Sequence, residues 1–195
     1  MYPDVCLKLP EWIAEEVGDP ARCYATLEER MALAVRLAAR NVVTGGGPFG
    51  AAIFEIERGR LIAPGVNRVV AEHCSLAHAE AMAIMVAQQV LGTFDLGRAD
   101  LPPLELVTSA QPCIQCYGNL WWSGLQRVVI GARREDVEQL TGFHEGPLPD
   151  DWAGKLEHRP PLHPIAVARD VLREEARAVL RKYAQSDGPV YNPGE

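Results

Sequence analysis

Ala77-His78-Ala79-Glu80 and Pro112-Cys113-Ile114-Gln115-Cys116 decide how this chain is read. The first stretch places an imidazole two residues ahead of a carboxylate. The second spaces two thiols by two residues directly after a proline. Three-residue spacing at a helix start brings both sulfurs to one side of the first turn. The positive end of the helix dipole, together with a metal, favours thiolates there. His78, Cys113 and Cys116 therefore make a three-ligand set for Zn²⁺, and Glu80 is a carboxylate that need not touch the ion. Three protein ligands leave a fourth tetrahedral position for water, which separates a catalytic zinc site from a structural one. Two thiolates nearly cancel the ionic charge, and the bound water is expected to have its pKa lowered towards about 7. Glu80 is placed to take that proton and pass it on.

Outward from these motifs, the spacing of Leu27, Met31, Val35 and Ala38 predicts a helix from about Thr26 to Val43, after a turn at Asp19-Pro20. Gly45-Gly46-Gly47-Pro48 ends it. No Lys-Ser/Thr pair follows these glycines, so they read as a turn that lets backbone approach a ligand rather than as a phosphate loop. Residues 51–56 and 61–70 read as a hairpin turned at Arg58-Gly59. Residues 77–91 form an Ala- and Met-rich helix, apolar nearly all round and so buried. A strand at 104–109, a helix at 113–123, a strand at 127–132 and a short helix at 135–140 follow. Pro147, Pro149, Pro160, Pro161 and Pro164 leave room for at most a short edge strand before the last helix, expected over 167–183. Residues 186–195 read as an extended tail. This order predicts a single domain over 1–195, an α/β fold in which a three-layer α/β/α sandwich surrounds a mixed central sheet. Both half-motifs fall at helix starts, so two helix N-termini can meet over one metal.

The bulk properties narrow the partners. Of 195 residues, 48% are hydrophobic and 23% charged, the balance of an ordinary soluble globular protein. The net charge of -7 opposes phosphate backbones, so nucleic acid is not expected as a partner. No apolar stretch is long enough for a bilayer, and Met1-Tyr2-Pro3-Asp4 lacks the basic start of a signal peptide, so a cytoplasmic setting is expected. Cys6, Cys23, Cys74, Cys113 and Cys116 are odd in number and sparse, which argues against a disulfide framework.

H-x-E followed by P-C-x-x-C is the signature of zinc-dependent base deaminases. The chain resembles the cytidine deaminase-like superfamily and, within it, the bacterial guanine deaminase-like nucleobase deaminases. The likeness runs through Gly47-Pro48-Phe49, Asn67-Arg68-Val69-Val70, Val107-Thr108-Ser109-Ala110, Trp122-Ser123-Gly124, Gly142-Phe143-His144-Glu145-Gly146-Pro147 and Val190-Tyr191-Asn192, besides the two zinc motifs. It implies hydrolytic deamination of a free guanine-like ring, with zinc on His78, Cys113 and Cys116 and with Glu80 as proton shuttle. It implies further that Asn67 and Ala77 contact the base and that Phe49 and Trp122 pack on or near its ring. Glu145 would read ring N–H groups or help move protons, with His144 beside it. The resemblance also implies a homodimer in which the tail carrying Tyr191 crosses over to complete the partner's site.

Three departures bear on the substrate. Gln111 stands where these proteins usually carry glutamate before Pro-Cys. Their loop more often has an acid where this chain has His144, and one extra residue lies near Thr141. Whether His144 or Glu145 faces the substrate is therefore open, and so is the ring. An s-triazine such as ammeline, guanosine, cytosine and tRNA adenosine are the other substrates, although the acidic charge and the absence of a basic tail oppose the last. A zinc-bound inactive scaffold is the reading without catalysis. A four-ligand structural site needs a fourth donor, and only Cys74 is near; a thioredoxin-like reading leaves His78 and Glu80 unexplained. Each substrate contact also has an ordinary reading: Phe49 as a core aromatic, Asn67 as a turn residue, Glu145 as a solvated acid and Tyr191 as a frayed tail.

Overall fold

The structure, a computed structural model, describes Tyr2 and residues 4–192. The chain runs α1 (Ile13–Val17), α2 (Leu27–Val43), β1 (Gly50–Glu55), β2 (Leu61–Val66), α3 (Ala79–Leu91), β3 (Leu104–Ala110), α4 (Ile114–Trp122), β4 (Arg127–Ala132), α5 (Arg134–Thr141), α6 (Trp152–Glu157), β5 (Ala166–Ala168) and α7 (Arg173–Gln185). Thr26 starts α2 through a capping box: its hydroxyl accepts from the Glu29 amide, and the Glu29 carboxylate accepts from the Thr26 amide.

The strands lie in the order β2-β1-β3-β4-β5. β1 is antiparallel to β2 and to β3, whereas β3, β4 and β5 are parallel. The sheet is thus mixed, as the element order predicts. Strand alternation sorts the core into two faces. Ala51, Ile53, Leu106, Val128 and Ile130 pack with Ala79, Ala83 and Ala87 of α3 and Leu120 of α4. Ala52, Phe54, Val107 and Val129 pack on the other side with Met31, Leu33, Ala34 and Leu37 of α2. Each face therefore carries its own helical layer, and the α/β/α sandwich follows. A third cluster joins Val137 of α5 to Ala176, Leu180 and Tyr183 of α7 around Phe143.

One contact places the site. A Cβ on Gly65 would lie 2.2 Å from the Ala79 carbonyl oxygen, so β2 touches the backbone of α3 in its first turn. Only glycine permits this approach. It anchors the helix end that carries His78 and Glu80 directly on the sheet.

Several boundaries differ from the sequence reading. The second strand stops at Val66 because Arg68 turns its amide to the Ala77 carbonyl, 2.8 Å away, and leads the chain towards α3. Residues 167–172 are not helical: Val167 pairs with Val128 in the edge strand β5. Asp170 and Leu172 then take left-handed backbone angles, φ 67° and 49°. Arg133 holds that turn with two hydrogen bonds of 2.7 Å to the Asp170 carboxylate. The short helices α1 and α6 were not expected either, since neither is long enough to show a period.

Glu105, fully buried on β3, links the layers by accepting from Arg30 of α2 and, at 2.5 Å, from Arg127 of β4. Arg30 is itself buried and donates to the Tyr24 carbonyl at 2.9 Å. Glu105→Ala leaves a buried guanidinium without its counter-charge and is expected to destabilise the fold by about 3–5 kcal/mol. Urea unfolding of the variant and the wild type measures this directly.

Candidate active site

His78 is the N-cap of α3 and Cys113 the N-cap of α4. Each carbonyl accepts the first backbone hydrogen bond of its helix, from Met82 at 2.9 Å and from Tyr117 at 2.8 Å. Cys116 sits one turn into α4 and is fully buried. The two helix starts bring His78 Nδ1 to 3.4 Å from Cys113 Sγ and 3.5 Å from Cys116 Sγ. All three donor atoms lie within 4.8 Å of one another. Tetrahedral zinc, with Zn–N of about 2.0–2.1 Å and Zn–S of about 2.3 Å, needs an N···S separation of about 3.5 Å. The donor set fits the ion.

The sulfurs support the same conclusion. A hydrogen bond from Cys116, with help from His78, pulls the Cys113 thiol down to about 4 against the effect of burial. That shared bond and burial push Cys116 well above the usual thiol range. The two sulfurs hold one proton between them, and a dication displaces it to leave two thiolates.

Glu80, in the first turn of α3, is buried beside these ligands. Burial, reinforced by the Cys113 thiolate, pushes its carboxyl up to about 7, while His78 and its own backbone N–H oppose the rise. Glu145 is buried too, and burial, then Cys113 and Glu80, push it up to about 8. Its carbonyl accepts from the Ile114 amide at 2.9 Å, which ties the 142–146 loop to the start of α4. Side chains in this loop alternate: Phe143 and Glu145 point inward, and His144 is exposed at the rim. Both residues line the cavity, Glu145 as a buried acid and His144 at its exposed rim.

These groups share a cavity of about 310 Å³ lined by Phe49, Asn67, Glu80, Gln111, Glu145 and Tyr191, among others. Asn67 is buried at the end of β2, and its Oδ1 accepts from the Val69 amide at 3.2 Å. It therefore holds a turn and lines the cavity at once. Phe49 lies 5.4 Å from Phe143, which lies 4.6 Å from Tyr191, so three aromatic rings form one wall. Tyr183 donates to the Pro189 carbonyl at 2.6 Å and turns the tail inward. Asn192 then donates to the Gly142 carbonyl and accepts from the His144 amide, each at 3.1 Å. Tyr191 thus stands in the cavity of its own chain. Residues 193–195 of the tail lie outside the described residues.

Two expected contacts are not at the cavity. Trp122, at the end of α4, is 78% exposed and lines a separate groove with Leu76 and Met85. It lies six residues beyond Cys116, about 9 Å along the helix axis from that ligand. Ala77 is fully buried, its carbonyl taken by the Arg68 amide at 2.8 Å and its amide by the Cys74 carbonyl at 3.0 Å. Ala79, two residues on, lines the cavity instead. Phe143 and Asn192 belong to the site although no role was read for them; both lie inside motifs that carried the resemblance.

Residues 25–132 match the cytidine and deoxycytidylate deaminase zinc-binding region. The chain belongs to this deaminase family. The match spans the metal ligands and Glu80, so the protein is a zinc-dependent hydrolytic deaminase. The deaminase is 38% identical over 113 residues to the guanine deaminase of Bacillus subtilis, which covers 57% of this chain and 67% of that one. In three dimensions it resembles the guanine deaminase of Nitrosomonas europaea, with a TM-score of 0.88 and 44% identity over 95% of this chain and 98% of the other. It is equally similar to the protein NE0047 in complex with 2,6-diaminopurine, with a TM-score of 0.88 and 45% identity over 96% of each chain. Those structural matches cover 95–96% of this chain, well beyond residues 25–132 of the zinc-binding region.

Cys116→Ala removes a ligand and is expected to abolish stoichiometric zinc binding, read as metal content after dialysis. Glu80→Gln keeps the ligands; it is expected to retain zinc while kcat falls by about 10²–10⁴-fold. Ammonia release under saturating substrate checks the second outcome, and wild-type kcat in that variant contradicts it.

Proposed function

We propose that the protein deaminates free guanine hydrolytically, replacing the exocyclic amino group by oxygen and releasing ammonia. The observation that carries this reading is the cavity in which two buried carboxylates, Glu80 and Glu145, stand with the zinc ligands. His78, Cys113 and Cys116 would hold the ion, which would supply Lewis acidity to activate water at neutral pH. Glu80 takes the water proton and returns protons to the ring nitrogen and the departing amine. Burial favours the neutral form of Glu80 and so equips it to hold and hand on a proton. Asn67 hydrogen-bonds the ring edge, and Phe49 packs near its face. Glu145 reads the N–H edge of the ring, and the buried hydroxyl of Tyr191 completes the wall. The cavity lies at the small end of the range for ligand sites, about 300–1,000 Å³, which suits a bare heterocycle.

The same reading includes a homodimer. Leu76, Met85 and Trp122 leave an apolar strip along α3 and α4 that a second copy can cover. Exchange of residues 186–195 between copies reproduces the Tyr183, Tyr191 and Asn192 contacts with the chains swapped. The reduced thiols that the metal needs suit the cytoplasm. No helix among the described residues is long and apolar enough to cross a membrane.

An ammonia-release screen of the zinc-loaded protein tests the substrate, with guanine expected to be turned over and ammeline, guanosine, adenosine and cytosine as competitors. Turnover of cytosine or adenosine but not guanine overturns the assignment. Truncation before Gly188 removes Tyr191 and is expected to lower kcat/KM with zinc content unchanged; full activity excludes a role for the tail.

A further inference from the structure

We propose that Asn41 is a positioning residue for the base-reading end of the cavity, an inference that rests on the function proposed above. Asn41 lies in the last turns of α2, fully buried, and does not line the cavity. Its Nδ2 donates to the Gly47 carbonyl at 2.8 Å and to the Asn67 carbonyl at 2.9 Å. Both partners can only accept, so both amide hydrogens are committed.

The two carbonyls belong to different segments. Gly47 leads into β1, and Asn67 leaves β2. The ladder between these strands ends at the Gly50–Val66 pair, after which the Asn67 amide donates to the Phe49 carbonyl at 3.1 Å. Asn41 adds the next link, supplied from the helical layer rather than from the sheet. What it joins are cavity walls: the Asn67 side chain on one segment and Phe49 on the other. The Tyr191 hydroxyl also meets this junction, 2.3 Å from where a Cβ on Gly47 would stand, with Asn67 Oδ1 at 3.0 Å. The clamp therefore sets the spacing between the amide that hydrogen-bonds the base, the aromatic ring near its face and the hydroxyl of the tail.

The fit leaves no slack. A Cβ on Gly46 would lie 2.4 Å from Asn41 Nδ2. The NH₂ group is engaged by two carbonyls from two different segments, which a neutral amide can satisfy and its isosteres cannot. Aspartate would set oxygens against oxygens, and leucine would leave both carbonyls unpaired.

A double-mutant cycle on the zinc-loaded enzyme tests this, combining Asn41→Leu with Asn67→Ala and reading kcat and KM for guanine, zinc content and Tm. Asn41→Leu is expected to lower kcat/KM about tenfold, chiefly through KM, with zinc retained. In the Asn67→Ala background the loss should be at least about threefold smaller, because the hydrogen-bonding group it positions is gone and only the ring and the tail hydroxyl remain to be displaced. Equal losses in both backgrounds mean that Asn41 acts on stability only and overturn the proposal. Gly46→Ala keeps the amide but crowds it, and is expected to give the same KM-weighted loss. If Asn41→Leu does not fold, wild-type kinetics in Gly46→Ala overturn the proposal. If the enzyme acts on another aminated ring, the guanine assignment fails, and the same cycle run with that ring decides the role of Asn41.

Discussion

Two helices must begin at the same point for this protein to bind an ion at all. The N-termini of α3 and α4 come from distant stretches of chain, yet His78 Nδ1 stands within 3.5 Å of both sulfurs. The rest of the molecule serves that meeting. Parallel pairing of β3 with β4 positions α4, and the close contact of β2 at Gly65 seats α3 on the sheet. Burial, and after it the charge of the Cys113 thiolate, raises Glu80 and Glu145 in this corner, and a dication is the natural complement of its thiols and carboxylates.

Much of this was legible in the sequence because its causes are local. A capping threonine, a 3.6-residue period and alternating apolar strands each act over a few residues, and α2, β1, β3, α4 and β4 lie where those patterns put them. The metal ligands were legible for the same reason, since C-x-x-C at a helix start has one sensible geometry. What failed depends on distant partners. Residues 167–172 carry apolar spacing that suits a helix, but pairing with β4 and the Arg133–Asp170 contact override it. Trp122 and Ala77 are substrate contacts through the resemblance alone, and neither lines the cavity of its own chain. The structure turns one to an outer groove and closes the other's backbone groups within its own loop.

Asn67 shows why substrate contacts are harder to read than ligands. Its sequence context fits a turn residue and a base reader equally well, and its side chain both caps the Val69 turn and faces the cavity. The residue that holds it, Asn41, carries no sequence signal: an asparagine on the buried face of an amphipathic helix looks like an exception until its two carbonyls are seen. The 142–146 loop is similar. Its sequence does not show that Phe143 and Glu145 are buried while His144 stands at the exposed rim of the cavity.

The central claim is that His78, Cys113 and Cys116 form a three-ligand centre with one position left for water. X-ray absorption at the zinc edge of the loaded, substrate-free protein tests it most directly. The account predicts two sulfur scatterers at about 2.3 Å and two nitrogen or oxygen scatterers at about 2.0–2.1 Å, one of them from solvent. A first shell containing a third sulfur would mark a closed structural site and contradict it.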